Sequence, residues 1–357
     1  MFETFGFEET TAKEVSVLFG LGLGLAFGIL AQLTAFCFRR ALVGEDRRQA
    51  AGLWGMALAV ALLGTQAVIA QGWISFEDHR LLASDLPVLA ISLGGLMFGV
   101  GMVLTRGCAS RLLVLSGTGN LRALMVLVVF ALVAHAALKG VLAPLRVALG
   151  SVTLPLGEAA SLAALPGGAL VWGGLIAIAA LAVALRSGNR VLSLVGAALI
   201  GALVPLAWAG TGFVLYDEFD PIAMESLSLT SPAAETLFYT VASSAVSAGF
   251  GPGLLGGILL GALAAALATG RFAWQSFEGP AQTGRYLAGG ALMGLGGVLA
   301  GGCTLGAGLS GIPTLSVAAI LALATIAIGA LIANALLNAG TSGSGARRAT
   351  PAPQPAE

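Results

Sequence analysis

Apolar side chains run along this chain in unbroken blocks, without the alternation of a half-buried strand or the one-sided stripe of a soluble surface helix. Blocks of about 20 residues cross a hydrocarbon core as α-helices. Nine are predicted, at residues 15–37, 50–73, 86–105, 123–141, 168–185, 191–215, 237–268, 286–300 and 313–337. The eighth is too short to cross by itself. Polar and charged residues gather between the blocks, so the pattern predicts an all-α polytopic membrane protein.

Composition agrees. Hydrophobic residues make up 57% and charged ones 10%, with a mean hydropathy of +0.96; soluble domains carry about 25% charged residues. A soluble enzyme and a secreted disulfide framework are excluded. Seventeen cations balance seventeen acids, which leaves no electrostatic footprint for nucleic acid. With the N-terminus outside, the inner connections collect Arg39, Arg40, Arg47, Arg48, Arg106, Arg111, Arg122, Arg186, Arg190, Arg271, Arg285, Arg347 and Arg348, thirteen of the seventeen cations. Lys13, Arg80, Lys139 and Arg146 stay outside with most of the acids, among them Glu3, Glu8, Glu9 and Asp217. This positive-inside pattern puts the N-terminus outside and the C-terminus inside. The first residues lack the basic region and cleavage site of a signal peptide. Residues 339–357, small, Pro-rich and polar, read as a disordered cytoplasmic tail.

The stretch Gly94-Gly95-Leu96-Met97-Phe98-Gly99-Val100-Gly101-Met102-Val103-Leu104-Thr105-Arg106-Gly107-Cys108 lies without gaps over residues 289–303, with eight identical positions. Composition alone would match about one or two. The copies fall in the third and eighth blocks, an odd separation, so they traverse the membrane in opposite directions. Inverted repeats with interrupted helices place transporter sites near the midplane, where half-helix N-termini offer N–H groups to an anion. Here each glycine-rich half breaks at Gly-Cys. A fainter echo relates Thr34-Ala35-Phe36-Cys37 to Thr211-Gly212-Phe213-Val214. The resulting organisation is a first repeat half at 1–143, a linker with one membrane helix at 144–190, a second half at 191–338, and the tail.

Three cysteines are present, Cys37, Cys108 and Cys303, with no CxxC pair. Each could be a small buried hydrophobe. Two of them occupy equivalent helix breaks in the repeat, so a site and a packing role stand side by side. A thiol is a weak donor with a polarisable sulfur, suited to a soft sulfur-containing ligand.

At these residues the chain resembles the YeeE/YedE family of bacterial inner-membrane sulfur-compound transporters. The resemblance runs through Phe27-Gly28, Gln32, Thr34 and Phe36-Cys37-Phe38-Arg39, then Phe98-Gly99-Val100-Gly101-Met102 to Gly107-Cys108. It continues through Trp208 to Thr211 with Tyr216-Asp217-Glu218-Phe219-Asp220-Pro221, Glu225-Ser226-Leu227 and Pro232, and ends with Gly301-Gly302-Cys303-Thr304-Leu305-Gly306 through Gly311. It implies thiosulfate uptake, in which the anion is handed between three thiols by hydrogen bonds without a persulfide. It also implies a cytoplasmic sulfurtransferase-like partner of the TusA type. One departure is Cys108-Ala109-Ser110-Arg111-Leu112, where many family members have further glycines.

Candidate site residues are therefore Cys37, Cys108 and Cys303, with Gly107, Gly302 and Thr304 at the breaks and Arg106, Arg39 and Gln32 as polar neighbours. Arg106 and Arg39 could draw in a dianion or snorkel to the surface. Gln32 could face the cavity or bridge helices. His135 and Lys139 share a helix face and could relay protons. Asp217, Glu218 and Asp220 read as a solvated loop, and the five tryptophans as mostly interfacial anchors. The alternatives to thiosulfate uptake are a membrane thiol-disulfide carrier and a transporter of another sulfur or selenium compound. No nucleotide-binding motif and no cofactor site is expected.

Overall fold

The structure, a computed structural model, describes residues 11–342 except 219, without the side chains of residues 158 and 340–342. The tail beyond residue 342, with Arg347 and Arg348, lies outside the described residues, as do Glu3, Glu8, Glu9 and Phe219 of the acidic loop.

Among the described residues the fold is helical apart from a two-residue antiparallel pairing of Asp85–Leu86 with Leu154–Pro155. Helix α1, Ala12–Thr34, starts at a capping box in which Thr11 Oγ1 accepts from the Glu14 N–H and Glu14 accepts from the Thr11 N–H. It stops where Ala35 turns left-handed at φ 51°, and the short α2, Phe38–Val43, follows. Then come α3, Arg47–Ala70; α4, Val88–Leu104; α5, Ala109–Gly117; and α6, Leu121–Lys139, capped by Asn120. Next are α7, Ala143–Gly150, and α8, Gly168–Leu185. Beyond it, α9, Val191–Ala209, widens into a π-turn at Gly210–Val214. The last four helices are α10, Thr230–Val241; α11, Phe250–Ala268; α12, Pro280–Leu299; and α13, Val317–Ser342. A second π-turn, Thr304–Gly311, separates α12 from α13.

Among the described residues, nine segments have the length and apolarity to cross a bilayer. Two differ from the sequence pattern. The expected seventh block divides: α10 ends at Val241, the polar Ser243–Ser244 region leaves the helix, and the crossing segment begins at Phe250. The expected short eighth block is a full-length helix. Pro280, favourable in a first turn, starts α12 before Arg285, and 20 residues span about 30 Å.

Glycine governs the packing. Helices α4 and α12 cross antiparallel with backbones nearly touching: a Cβ on Gly94 would lie 2.7 Å from the Gly296 carbonyl oxygen, and one on Gly101 would lie 2.5 Å from that of Gly289. Under the repeat register Gly94 corresponds to Gly289 and Gly101 to Gly296, so each contact is the image of the other. The flanking contacts exchange in the same way. Gly95 and Gly99 of α4 meet Ala322 and Ile326 of α13, whereas Gly290 and Gly294 of α12 meet Val126 and Phe130 of α6. Further out, Gly24 of α1 meets Leu254 of α11, and Gly201 of α9 meets Ala57 of α3. Helix α8 packs chiefly on α3, and its other side is open, with Leu170 91% exposed.

Close approach of this kind substitutes for the hydrophobic effect, which drives no association between helices already in lipid. Gly28 and Gly22 on α1 test it. A Cβ at Gly28 would sit 2.3 Å from the Ile258 carbonyl oxygen, while Gly22 faces open space. Gly28→Ala should destabilise the detergent-solubilised protein by about 1–3 kcal/mol, read as a lower unfolding midpoint. Gly22→Ala should be neutral or slightly stabilising. Equal midpoints would contradict the packing.

Candidate functional site

All three cysteines stand where a helix restarts. Cys37 precedes α2, Cys108 precedes α5, and Cys303 precedes the π-turn at Thr304–Gly311. The backbone before each is bent the same way. Ala35, Arg106 and Gly301 have left-handed φ values of 51°, 59° and 74°. Arg106 and Gly301 are repeat-equivalent, so this turn belongs to the Gly-Cys break itself. Gly107 and Gly302 are buried at the bend, and a Cβ on Gly302 would come within 2.8 Å of the Ala307 nitrogen. The Thr105 hydroxyl lies 3.0 Å from the carbonyl oxygens of Gly101 and Gly107, tying the end of α4 across the break.

The breaks bring Cys37 and Cys108 together. Their sulfurs are 3.8 Å apart, both buried, and Cys108 Sγ is 3.3 Å from Ser110 Oγ. A disulfide has its sulfurs about 2.05 Å apart, so this is a thiol pair in hydrogen-bond contact. Arg111, in the first turn of α5, donates from Nη1 to Gln32 Oε1 at 3.4 Å, and both side chains are buried. Phe36 stacks on Trp54 at 5.5 Å, and Phe38 packs on the same indole at 4.7 Å. Cys303 belongs to the same buried core but contacts neither of the other thiols in this way. Its sulfur accepts the Gly306 N–H at 3.4 Å, and Thr304 beside it is buried. A Cβ at Gly308 would lie 3.0 Å from the Trp54 ring, so that indole spans from the Cys37 break to the Cys303 turn.

Gly306 and Ser310 also line a cavity of about 310 Å³ at one end of the bundle. Its walls come from the segment between α3 and α4, with His79 and Arg80, and from the segment between α9 and α11, with Glu225, Ser228 and Glu235. Arg80 Nη1 donates to the Gly301 carbonyl at 2.9 Å, anchoring the cavity to the break before Cys303. Burial raises the Glu225 carboxyl to about 7, with Glu235 adding to the rise and Arg80 opposing it. Burial, then Arg80, lowers His79 to about 4, so this imidazole is neutral in the physiological range.

The polar neighbours expected around the thiols divide. Gln32 is in the thiol cluster. Arg106 is exposed, and Arg39 is half-buried on α2 with its Nε unpartnered. The cation that the fold brings beside Cys37 and Gln32 is Arg111, whose signal was its position three residues after Cys108 in an otherwise apolar run. His135 stacks on Phe238 at 5.1 Å. Two of the tryptophans are not interfacial: Trp54 is 6% and Trp208 3% exposed, and neither indole N–H has an acceptor among the described residues. An indole ring packs as well against aromatic walls as at a membrane surface.

Membrane-length helices folded around buried polar groups, with a charged cavity beside one helix break, are an architecture that suits a membrane transporter. The chain belongs to the sulphur transport family, whose model matches residues 31–332. It is 28% identical over 324 residues to the thiosulfate transporter TsuA of Escherichia coli (strain K12), covering 82% of this chain and 86% of that protein. To the thiosulfate transporter TsuA of Spirochaeta thermophila it is 28% identical over 340 residues, covering 85% of this chain and 93% of that one. The family and these relatives are transporters, not enzymes.

The 3.8 Å thiol contact gives a direct test. Protein purified without reductant and then unfolded should yield three alkylatable thiols, the same number as after reduction. A reversible pair that alkylates only after reduction would instead identify a disulfide carrier.

Proposed function

We propose that this protein carries thiosulfate inward across the bacterial inner membrane, with its N-terminus outside and its C-terminus in the cytoplasm. The observation that carries the reading is the buried Cys37–Cys108 contact, formed where two helix breaks meet. The exchange of glycine contacts between α4 and α12 supports an inverted repeat made of residues 1–143 and 191–338, with 144–190 as linker.

On this reading the cavity beside Arg80 and Gly306 is the outer entrance. Thiosulfate enters, meets Cys303 behind the Gly306 turn, and passes to Cys108 and Cys37. Each S–H donates to the anion in turn, and no S–S bond forms or breaks. The terminal sulfur of thiosulfate is large and polarisable, a good match for a thiol. Its oxygens need stronger donors, and Arg111, oriented by Gln32, is placed to supply them. Such help is required, because the Born cost of moving an ion from water to a dry interior is on the order of 20 kcal/mol even for a single charge. A cytoplasmic sulfurtransferase of the TusA type would take up the delivered sulfur.

Uptake of radiolabelled thiosulfate into cells lacking their own uptake systems tests this, at matched membrane abundance. The unaltered protein should support uptake, and Cys37→Ala, Cys108→Ala and Cys303→Ala should each abolish it. Retained uptake in all three variants would overturn the thiol path. No uptake by the unaltered, inserted protein would redirect the cargo to selenium compounds or other sulfur oxyanions.

Arg111 separates the oxygen contact from the sulfur contact. Arg111→Gln should reduce uptake at least tenfold, equivalent to about 1.4 kcal/mol, and Arg111→Lys should restore part of it. Unchanged uptake in Arg111→Gln would remove this residue from the path.

A further inference from the structure

The outer cavity has a charge pattern that thiosulfate binding alone does not explain. Arg80 is the one cation among its lining residues, against Asp78, Glu225 and Glu235. A cavity that admits a dianion would be expected to exclude carboxylates, yet Glu225 is half-buried in its wall. The backbone fixes it there: the Glu225 N–H donates to Thr211 Oγ1 at 3.0 Å, and that hydroxyl lies 2.7 Å from the Glu225 carbonyl oxygen. Trp208 lines the same cavity with a buried indole N–H that has no acceptor among the described residues, a donor that an oxyanion would satisfy.

We propose that Glu225 is a proton-binding site linked to the anion: it takes up a proton when thiosulfate enters beside Arg80 and loses it when the cavity empties. This rests on the transport reading above. The physical cause is charge. In the empty cavity Arg80 favours the carboxylate form of Glu225, while burial and Glu235 oppose it. A dianion beside Arg80 neutralises that support and adds a like charge, so the carboxyl binds a proton more tightly. Once protonated, Glu225 turns from a repelling carboxylate into an O–H donor.

Of the other charged groups near this wall, His79 stays neutral across the window because it titrates near 4, and it accepts the Leu81 N–H at 3.3 Å. Glu235 is exposed on α10, where burial raises its carboxyl and Lys13 of α1 lowers it. Asp78 is exposed in the segment between α3 and α4. Glu225 begins near 7, and the bound anion moves it higher. Proton uptake therefore peaks just above neutrality. It vanishes at low pH, where the group is already protonated, and at high pH, where it is ionised in both states.

Calorimetric titration of the purified full-length protein with sodium thiosulfate, at about pH 7.5 in phosphate and in Tris, reads the linkage. The expected result is a buffer-dependent heat equal to a fraction of a proton, at most one, taken up per thiosulfate. Affinity should fall by up to tenfold per pH unit above neutrality. Glu225→Gln, which mimics the protonated form, should bind thiosulfate with no buffer dependence and a flat pH profile. Glu235→Gln should keep the linkage and move it to lower pH, because it removes a like charge. Heats that are identical in the two buffers for the unaltered protein, or a linkage that survives in folded Glu225→Gln, would overturn the proposal while leaving transport intact. Absence of any thiosulfate binding by the unaltered protein would overturn the transport reading and this one with it.

Discussion

Everything at the centre of this molecule depends on how closely α4 and α12 cross. Their backbones meet at Gly94–Gly296 and Gly101–Gly289 with no room for a Cβ. Both helices end within a few residues of the crossing, at Thr105 and Ala300, and turn left-handed before Gly107 and Gly302. The crossing therefore holds the two breaks, and with them Cys108 and Cys303, in fixed relation. A bulkier residue in either seam would separate the helices and, with them, the two halves of the site. The glycine content of the chain is therefore a structural requirement of the bilayer, in which closeness has to replace the hydrophobic effect.

A broken helix in a membrane leaves backbone N–H and C=O groups without intrahelical partners, tolerated only where protein or a cavity receives them. This protein uses them locally. Thr105 bridges carbonyls at one break, Arg80 takes the Gly301 carbonyl at the other, and the Cys303 sulfur accepts the Gly306 N–H. Against that background the Cys37–Cys108 pair is distinctive. It is two weak donors in contact, with a guanidinium and an amide close by, in a packed core that also holds the stacked Phe36, Phe38 and Trp54. Such a set suits a ligand with a soft end and a charged end.

Much of this was legible in the sequence because the relevant signals are local. The apolar blocks marked the membrane helices, and the Gly-Cys repeat at 94–108 and 289–303 marked both breaks with their cysteines. The departures have physical reasons. The end of α10 was absorbed into the seventh block because Leu237 to Val241 is as apolar as a membrane helix, although the helix stops there. Arg106 adjoins Gly-Cys in the sequence, but at its left-handed bend it is exposed, whereas Arg111 is buried. The Arg111–Gln32 pair joins residues 79 positions apart, and the cavity gathers side chains from two distant connections. Contacts of that range follow from how helices pack, which hydropathy does not encode.

The central claim is that thiosulfate passes the thiols by hydrogen bonding alone. The most direct measurement is uptake of labelled thiosulfate by proteoliposomes containing only this protein, followed by non-reducing denaturation and intact-mass determination of the protein after turnover. The account predicts uptake with the protein mass unchanged. A protein heavier by one sulfur atom, or uptake that persists when Cys37 and Cys108 are both replaced by Ala, would contradict it.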